Sequence, residues 1–370
     1  MNLSYWEYKT WLNNIDFTVV GSGIVGLNCA LRLRQRFPES KILVLEKGQL
    51  PQGASTKNAG FACFGSMSEI LEDIKSHSEE EVFNLVKKRY KGLELLNSTL
   101  GKSNIDYQNN GGFELFLENQ KELFEECTSK LKQVNTLLEP IFKKDTFKIC
   151  DNKFNFENII PNYIFTPFEG SIDTGKMMNS LLKLAIRKNI LILNSTEVKA
   201  FTELQESVII KIENVEFKTN KLLIATNGFA SQLLNVDVKP ARAQVLITEP
   251  IENLHIQGTF HLDKGYYYFR NVGNRILFGG GRNLDFTAEE TAEFGLTKLV
   301  QDKLKAILRD VILPKKEVII SQRWSGIMGV GNQKKAIVKQ VSSHVFCGVR
   351  LGGMGVAIGS LVGKELADLL

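Results

Sequence analysis

The sequence predicts an α/β protein: a discontinuous Rossmann-type nucleotide domain carrying an inserted α+β domain built on a mainly antiparallel sheet. Three observations support this. Residues Asp16–Val20 read as a buried strand and run straight into Gly21-Ser22-Gly23-Ile24-Val25-Gly26, a G-x-G-x-x-G turn. A second glycine-rich turn, Gly352-Gly353-Met354-Gly355-Val356, opens a helix at the other end of the chain. Between them lies a stretch dense in period-two runs separated by Gly and Asn turns, the signature of antiparallel strands.

Taken in order, Gly21 permits the tight turn, Gly23 lets backbone approach a pyrophosphate, and Gly26 lets the helix Leu27–Phe37 pack against the strand. The free N–H groups and positive dipole end of that helix then face the phosphates. The strand Lys41–Leu45 ends in Glu46, followed by Lys47. A carboxylate there accepts both ribose hydroxyls and favours a free 2′-hydroxyl over a 2′-phosphate. The loop Gly53-Ala54-Ser55-Thr56-Lys57-Asn58-Ala59-Gly60 is too rich in small residues for a helix core.

Val82–Leu100 and Lys121–Leu138 read as amphipathic helices flanking a strand at Gly111–Leu117. A helix at Gly175–Lys188 leads to strands at Ile190–Leu193, Val198–Phe201, Val208–Ile212 and Leu222–Thr226. The last stops at Asn227-Gly228, as strands do at the edge of a ligand crevice. Strands Ala243–Thr248, Gly265–Arg270, Arg275–Gly279 and Glu317–Trp324 follow, with Ala288–Leu308 as one or two helices and His344–Val349 as a final strand. Turns at both ends of the chain place residues 1–85, 150–235 and 325–370 in the nucleotide domain and 86–149 and 236–324 in the substrate domain.

A chain of 370 residues with 43% hydrophobic and 24% charged residues is an ordinary globular composition, and no apolar run reaches the roughly eighteen residues of a membrane span. Met1–Asn14 lacks the basic start and apolar core of a secretory signal and is expected to pack as a short arm. The five cysteines are scattered and never form C-x-x-C, which fits a reducing cytoplasm. The net charge of +5 is explained by lysines on the solvated faces of amphipathic helices, so no nucleic-acid partner is expected. The four histidines lie far apart without metal-ligand spacing, so no metal is expected either.

The ordered set G-S-G-I-V-G, Glu46, G-A-S-T-K-N-A-G, A-T-N-G at Ala225–Gly228, R-W-S-G at Arg323–Gly326 and G-G-M-G-V at Gly353–Val356 resembles the FAD-dependent amine and D-amino-acid oxidoreductases, which include glycine oxidase, sarcosine oxidase and D-amino-acid dehydrogenase. The resemblance spans nearly the whole chain. It implies that Glu46 holds the adenosine ribose, that Ser55 and Asn58 lie along the pyrophosphate and flavin, and that Val198 borders the adenine. It also implies that N–H groups of Gly353–Val356 stabilise charge on the reduced flavin. FAD is expected to be non-covalent, with Cys63 a small buried hydrophobe.

The same resemblance implies a small amine or amino acid bound over the flavin, hydride loss from the carbon bearing nitrogen, an imine product, and oxygen or another acceptor for the electrons. On a strand, Tyr266, Tyr268 and Arg270 share one face, which is either the pocket or a core face with Arg270 reaching outward. Tyr268, Arg270, Arg282 and Arg323 are the substrate-pocket candidates, the arginines as carboxylate forks. The chain departs from its relatives at Gly326-Ile327-Met328, where glycine-oxidase-like members carry a carboxylate-gripping arginine at the third position. It also has no lysine in Arg275-Ile276-Leu277-Phe278, where sarcosine-oxidase-like members activate oxygen. Three other readings stay open: a flavin oxidase acting on a modified transfer-RNA nucleoside, an NAD-dependent dehydrogenase, and a non-catalytic flavoprotein.

Overall fold

The computed structural model describes residues 3–370. The parallel core of the first sheet runs Val345–Val349, Val215–Ile224, Ile15–Val20, Ile42–Leu45, Leu191–Leu193, with Ile337–Gln340 added antiparallel at one edge. Its central strands are apolar on both faces because helices cover one side and the Val198–Glu203/Val208–Ile212 hairpin extends the other. Helices Ile24–Arg36 and Gly355–Asp368 lie together over this sheet, and their closeness rests on glycine. A Cβ on Gly363 would lie 2.5 Å from the Val25 carbonyl oxygen and one on Gly359 2.7 Å from Ile24 Cγ2, while one on Gly26 would lie 1.9 Å from the Gly21 carbonyl oxygen of the preceding turn. The first and last helices of the nucleotide layer therefore share one core, built from Leu27, Ala30, Ile358 and Val362 among others.

The second sheet runs Ile320–Val330, Lys239–Thr248, Arg275–Gly280, Tyr267–Val272, Thr259–Leu262, Gly112–Leu115, Asn162–Thr166, Lys148–Asp151; only the Thr259–Leu262/Gly112–Leu115 pair is parallel. Residues 148–166 thus pair into this sheet, although the division drawn at residue 150 assigns most of them to the nucleotide domain. Their partners are set by a register with Gly112–Leu115, a non-local pairing that local periodicity does not report. Likewise the strand Ile320–Val330 crosses the division at 325, and the N-terminal part of the second domain, helix Glu79–Leu100, packs through Gly92 onto Ala357 of the nucleotide layer.

Three local expectations are corrected. The N-terminal arm packs more lightly than expected: Leu12 is buried, Leu3 is partly buried on the same core and Lys41 Nζ donates to the Thr10 and Asn13 carbonyls, while Tyr5, Trp6, Tyr8 and Trp11 are exposed; Met1 and Asn2 lie outside the described residues. The 53–60 loop contains one helical turn, Ala54–Lys57, because its tight start needs few side chains. In 288–308 only Lys298–Ile307 is α-helical, continued by a wider turn at Leu308–Ile312.

The segment before that helix is held instead by Glu289. This buried carboxylate accepts Arg242 through Nε (2.8 Å) and Nη2 (3.2 Å), Gln244 Nε2 (2.8 Å) and Thr297 Oγ1 (3.0 Å). Burial alone would raise its pKa, but the Arg242, Gln244 and Thr297 bonds outweigh burial and hold it below the usual carboxylate value. Its contribution to stability is therefore complete above the unfolded carboxyl pKa and is lost as pH falls through the lower folded value. Glu289→Gln is expected to lower stability at neutral pH and to flatten the acid limb of a denaturation-midpoint profile. An unchanged acid limb would refute this role.

Candidate functional site

The two sheets enclose a cavity of about 1150 Å³. This exceeds the roughly 300–1,000 Å³ of a small-molecule site and suits a dinucleotide together with a substrate. One end is built by the opening turn. Gly21, with φ of +103°, bends the chain away from the strand, and Gly23, Ile24 and Val25 line the cavity. The helix Ile24–Arg36 has no side-chain cap; Ile24 N–H donates to Ser55 Oγ at 2.9 Å, which brings the 53–60 loop against the helix start. A Cβ on Gly23 would lie 2.8 Å from that hydroxyl, in the space where a phosphate would meet the helix.

Glu46 is buried and tightly held. Ser22 N–H (3.0 Å) and Oγ–H (2.8 Å) donate to its Oε2, and Gly48 N–H (3.1 Å) and Gln52 N–H (3.3 Å) donate to its Oε1. Four donors fill the acceptor sites of a carboxylate. A ribose diol would reach Glu46 only by displacing a donor, and of the four the Ser22 hydroxyl is the one on a rotatable side chain. Ser22 itself lies behind the wall, as do Gly26, Gly60 and Gly228, each pressed on backbone rather than open to ligand. Lys47, Gly53, Ala54, Ser55, Asn58, Ala59 and Val198 line the cavity.

The turns at Thr226–Gly228 and Arg350–Val356 meet through one side chain. Asn227 Oδ1 accepts N–H bonds from Arg350 (3.1 Å) and Leu351 (3.2 Å). Arg350 is held in a left-handed conformation by Asp237 (2.6 Å) and the Lys335 carbonyl (3.0 Å). The chain then turns through Gly352 and Gly353, both at positive φ, and starts the helix Gly355–Asp368, which also lacks a side-chain cap. Thr226, Asn227, Gly352, Gly353, Met354, Gly355 and Val356 line the cavity, so a second helix N-terminus with free N–H donors opens into it.

Of the substrate-pocket candidates, Tyr268 and Arg282 line the cavity with Tyr266. Burial pushes the Tyr268 hydroxyl up to about 12, so it stays a neutral phenol. Arg282 is half-buried and its guanidinium stacks over Phe286 at 4.8 Å, with no hydrogen-bond or ion-pair partner. Arg270 and Arg323 do not belong to the pocket. Arg270 shares the Tyr268 face, but its Nε donates to the Ala59 carbonyl at 2.5 Å and its Nη2 to the Ile172 carbonyl at 2.9 Å, so it clamps the 58–60 loop. Arg323 is exposed, because the strand alternation that turns Trp324 toward the Lys57 carbonyl turns Arg323 to solvent.

Several wall residues escaped sequence reasoning: Phe61, His261, Lys264, Phe294 and Lys334. His261 pairs directly with Tyr268 across the Thr259–Leu262 and Tyr267–Val272 strands, so hairpin register was the signal that could have found it. Phe61 is packed edge-on against both rings. Behind His261 lies Glu169, whose Oε2 is 2.9 Å from His261 Nε2. Burial pulls the imidazole pKa down, yet Glu169 outweighs it and holds the ring at about 9.

A family model described as FAD dependent oxidoreductase matches residues 16–369. The chain belongs to that family. It is 20% identical to the probable oxidoreductase OrdL of Haemophilus influenzae, covering 98% of this chain and 84% of that protein. It is 23% identical to the gamma-glutamylputrescine oxidoreductase of Escherichia coli, covering 96% and 83%. The crystal structure of glycine oxidase from Geobacillus kaustophilus superposes with a TM-score of 0.79 at 17% identity, over 96% of this chain and 94% of that one, which shows the shared fold. The chain is thus an FAD-dependent oxidoreductase, and its cavity fits the cofactor: two helix N-termini that open with glycine or methionine N-caps rather than a capping side chain of their own, a buried acid at the end of the second strand, and a cradle at Gly23 that a Cβ would fill. No helix among the described residues is long and apolar enough to cross a membrane.

Proposed function

We propose that this FAD enzyme oxidises a C–N bond of a small amine or amino acid that carries an anionic group, with FAD held non-covalently. Bound FAD supplies a two-electron acceptor that takes the hydride from the carbon bearing nitrogen. The chain's residues do the rest: Tyr266, Tyr268 and Phe61 form an aromatic wall that excludes water, and the N–H groups of Gly353, Gly355 and Val356, at the cavity-lining helix start, would stabilise the negative charge that develops, Met354 N–H being taken by the Leu351 carbonyl.

One observation carries the substrate class. Three lysines around the cavity are ion-paired: Lys47 with Glu197 (2.7 Å), Lys264 with Glu72 (3.1 Å) and Lys334 with Asp73 (2.5 Å), whereas Lys57 and Arg282 have only aromatic contacts, Lys57 over Phe294 (5.9 Å) and Arg282 over Phe286 (4.8 Å). Of these two, Arg282 carries the planar guanidinium, without an ion-pair partner among the described residues, and its rigid fork on an aromatic shelf suits a carboxylate better than a lysine ammonium does. Met328 lines the cavity where relatives place an arginine, so the anion grip falls to the turn after Gly279-Gly280-Gly281. A wall in which three of the four lysines are already ion-paired also offers little to a polyanion, which favours a small substrate over transfer RNA.

Arg282→Met is expected to raise KM for a carboxylate-bearing substrate by about 10- to 100-fold, the loss of one charge-assisted bond of about 1.5–3 kcal/mol. KM for an amine lacking the anion should move little, and the flavin content should be unchanged. Equal effects on both substrates would remove Arg282 from the substrate site.

A further inference from the structure

Cys63, Glu169 and His261 reach one point from three separate segments. Cys63 follows the two-residue strand Phe61–Ala62, Glu169 precedes its partner strand Gly170–Ser171, and His261 lies within Thr259–Leu262. The Cys63 sulfur, a Glu169 oxygen and a His261 ring nitrogen all lie within 4.8 Å of one another, the only such grouping of three among the described residues. All three side chains are buried, Glu169 completely. Glu169 Oε2 is occupied by His261 and by Thr259 Oγ1 at 3.2 Å, but Oε1 is buried without any hydrogen-bond partner. A carboxylate oxygen left unpaired in the interior is costly. C–N oxidation does not use it, since Glu169 stands behind the cavity wall.

We propose that Cys63, Glu169 and His261 form a binding site for a divalent transition-metal ion of the zinc class, set into the wall of the FAD cavity, which Cys63 and His261 line and Glu169 backs. The donor set selects the ion. A thiolate and an imidazole disfavour magnesium and calcium, whereas one sulfur, one nitrogen and one oxygen suit zinc, with a fourth position left open. Met354 brings a thioether sulfur to 3.9 Å from Cys63 Sγ. Metal–ligand bonds of about 2.0–2.3 Å need ligand atoms about 3.3–3.8 Å apart, so a small side-chain rotation closes the site. On binding, the ion replaces the protons on the Cys63 thiol and the His261 ring, and Glu169 Oε1 gains the partner it lacks.

The site joins the segment after the flavin loop to Glu169 and to the Thr259–Leu262 strand, so metal would stiffen the cavity wall without contributing to the group that accepts the hydride. The test is titration of chelator-treated holoprotein with Co²⁺. The expected result is one equivalent bound per chain, with a thiolate charge-transfer band and d–d absorption at wavelengths beyond the flavin bands, reversed by excess Zn²⁺. Cys63→Ser and Glu169→Gln should each weaken binding by more than about 10-fold while the flavin spectrum reports an intact fold. Cys150→Ser, which alters the one partly exposed cysteine, should bind as before. Absence of the bands in the wild-type chain would overturn the proposal, whatever the variants do. So would bands that persist in Cys63→Ser or vanish in Cys150→Ser.

Discussion

Gly23→Val is expected to yield a folded, colourless protein. The backbone at Gly23 has φ of −73° and an extended ψ, a conformation open to any residue, so the substitution strains nothing locally. Its effect is spatial. The first added carbon would already lie 2.8 Å from Ser55 Oγ, and the branches would occupy the approach to the helix start. A phosphate displaced from those N–H groups loses several charge-assisted bonds, so affinity for FAD should fall by more than about 100-fold, or roughly 3 kcal/mol. Absorbance ratios of the purified variant measure flavin content, and circular dichroism measures the fold. A variant that purifies yellow would contradict the placement of the pyrophosphate. Gly26→Ala makes the useful contrast: its Cβ would collide with the Gly21 carbonyl, so it should fail in folding rather than in binding.

Arg270→Met should destabilise the chain by about 3 kcal/mol or more. Two buried carbonyls, Ala59 and Ile172, lose a charged donor, and each such bond is worth about 1.5–3 kcal/mol. Burial lowers the Arg270 pKa to about 10, with Asp173 and Asp106 acting against that fall, so the group is a cation throughout the physiological range. The loop it clamps is also held by Asn58 Oδ1, which accepts Gly60 N–H (2.8 Å) and Thr174 Oγ1–H (2.9 Å). The variant should therefore fold but release FAD more readily. Denaturant midpoints with and without added FAD read both effects. Wild-type stability in the variant would return Arg270 to the list of candidate substrate ligands.

Arg270 also illustrates what sequence can and cannot report. Its face on the strand followed from alternation, since Tyr268 and Arg270 do point the same way, but its partners are main-chain carbonyls 98 and 211 positions away. The opening turn was legible because every constraint on it is local: a buried strand, three glycines, an apolar helix and an acid at the next strand end. The closing turn was legible for the same reason, and its distance from the first implied a divided domain. Sheet membership of residues 148–166 was not, because an isolated alternating run says nothing about which edge it joins. Glu169 was invisible for a related reason. It lies 92 positions from His261 in an irregular segment and becomes meaningful only once both are buried together.

The aromatic strand shows the intermediate case. Period-two reading placed Tyr268 on one face and Tyr267 on the other, and the structure puts the first in the cavity wall and the second in the core of the antiparallel layer. Which face met the cofactor depended on how that sheet docks on the nucleotide layer.

The most direct test is anaerobic mixing of the holoprotein with a panel of small amines, amino acids and N-alkylated amino acids, watching the long-wavelength flavin band. Bleaching is predicted for at least one compound carrying both an oxidisable C–N bond and an anionic group, with a carbonyl compound and an amine or ammonia released in equal amounts. A flavin that bleaches with dithionite but with no member of the panel would contradict the account.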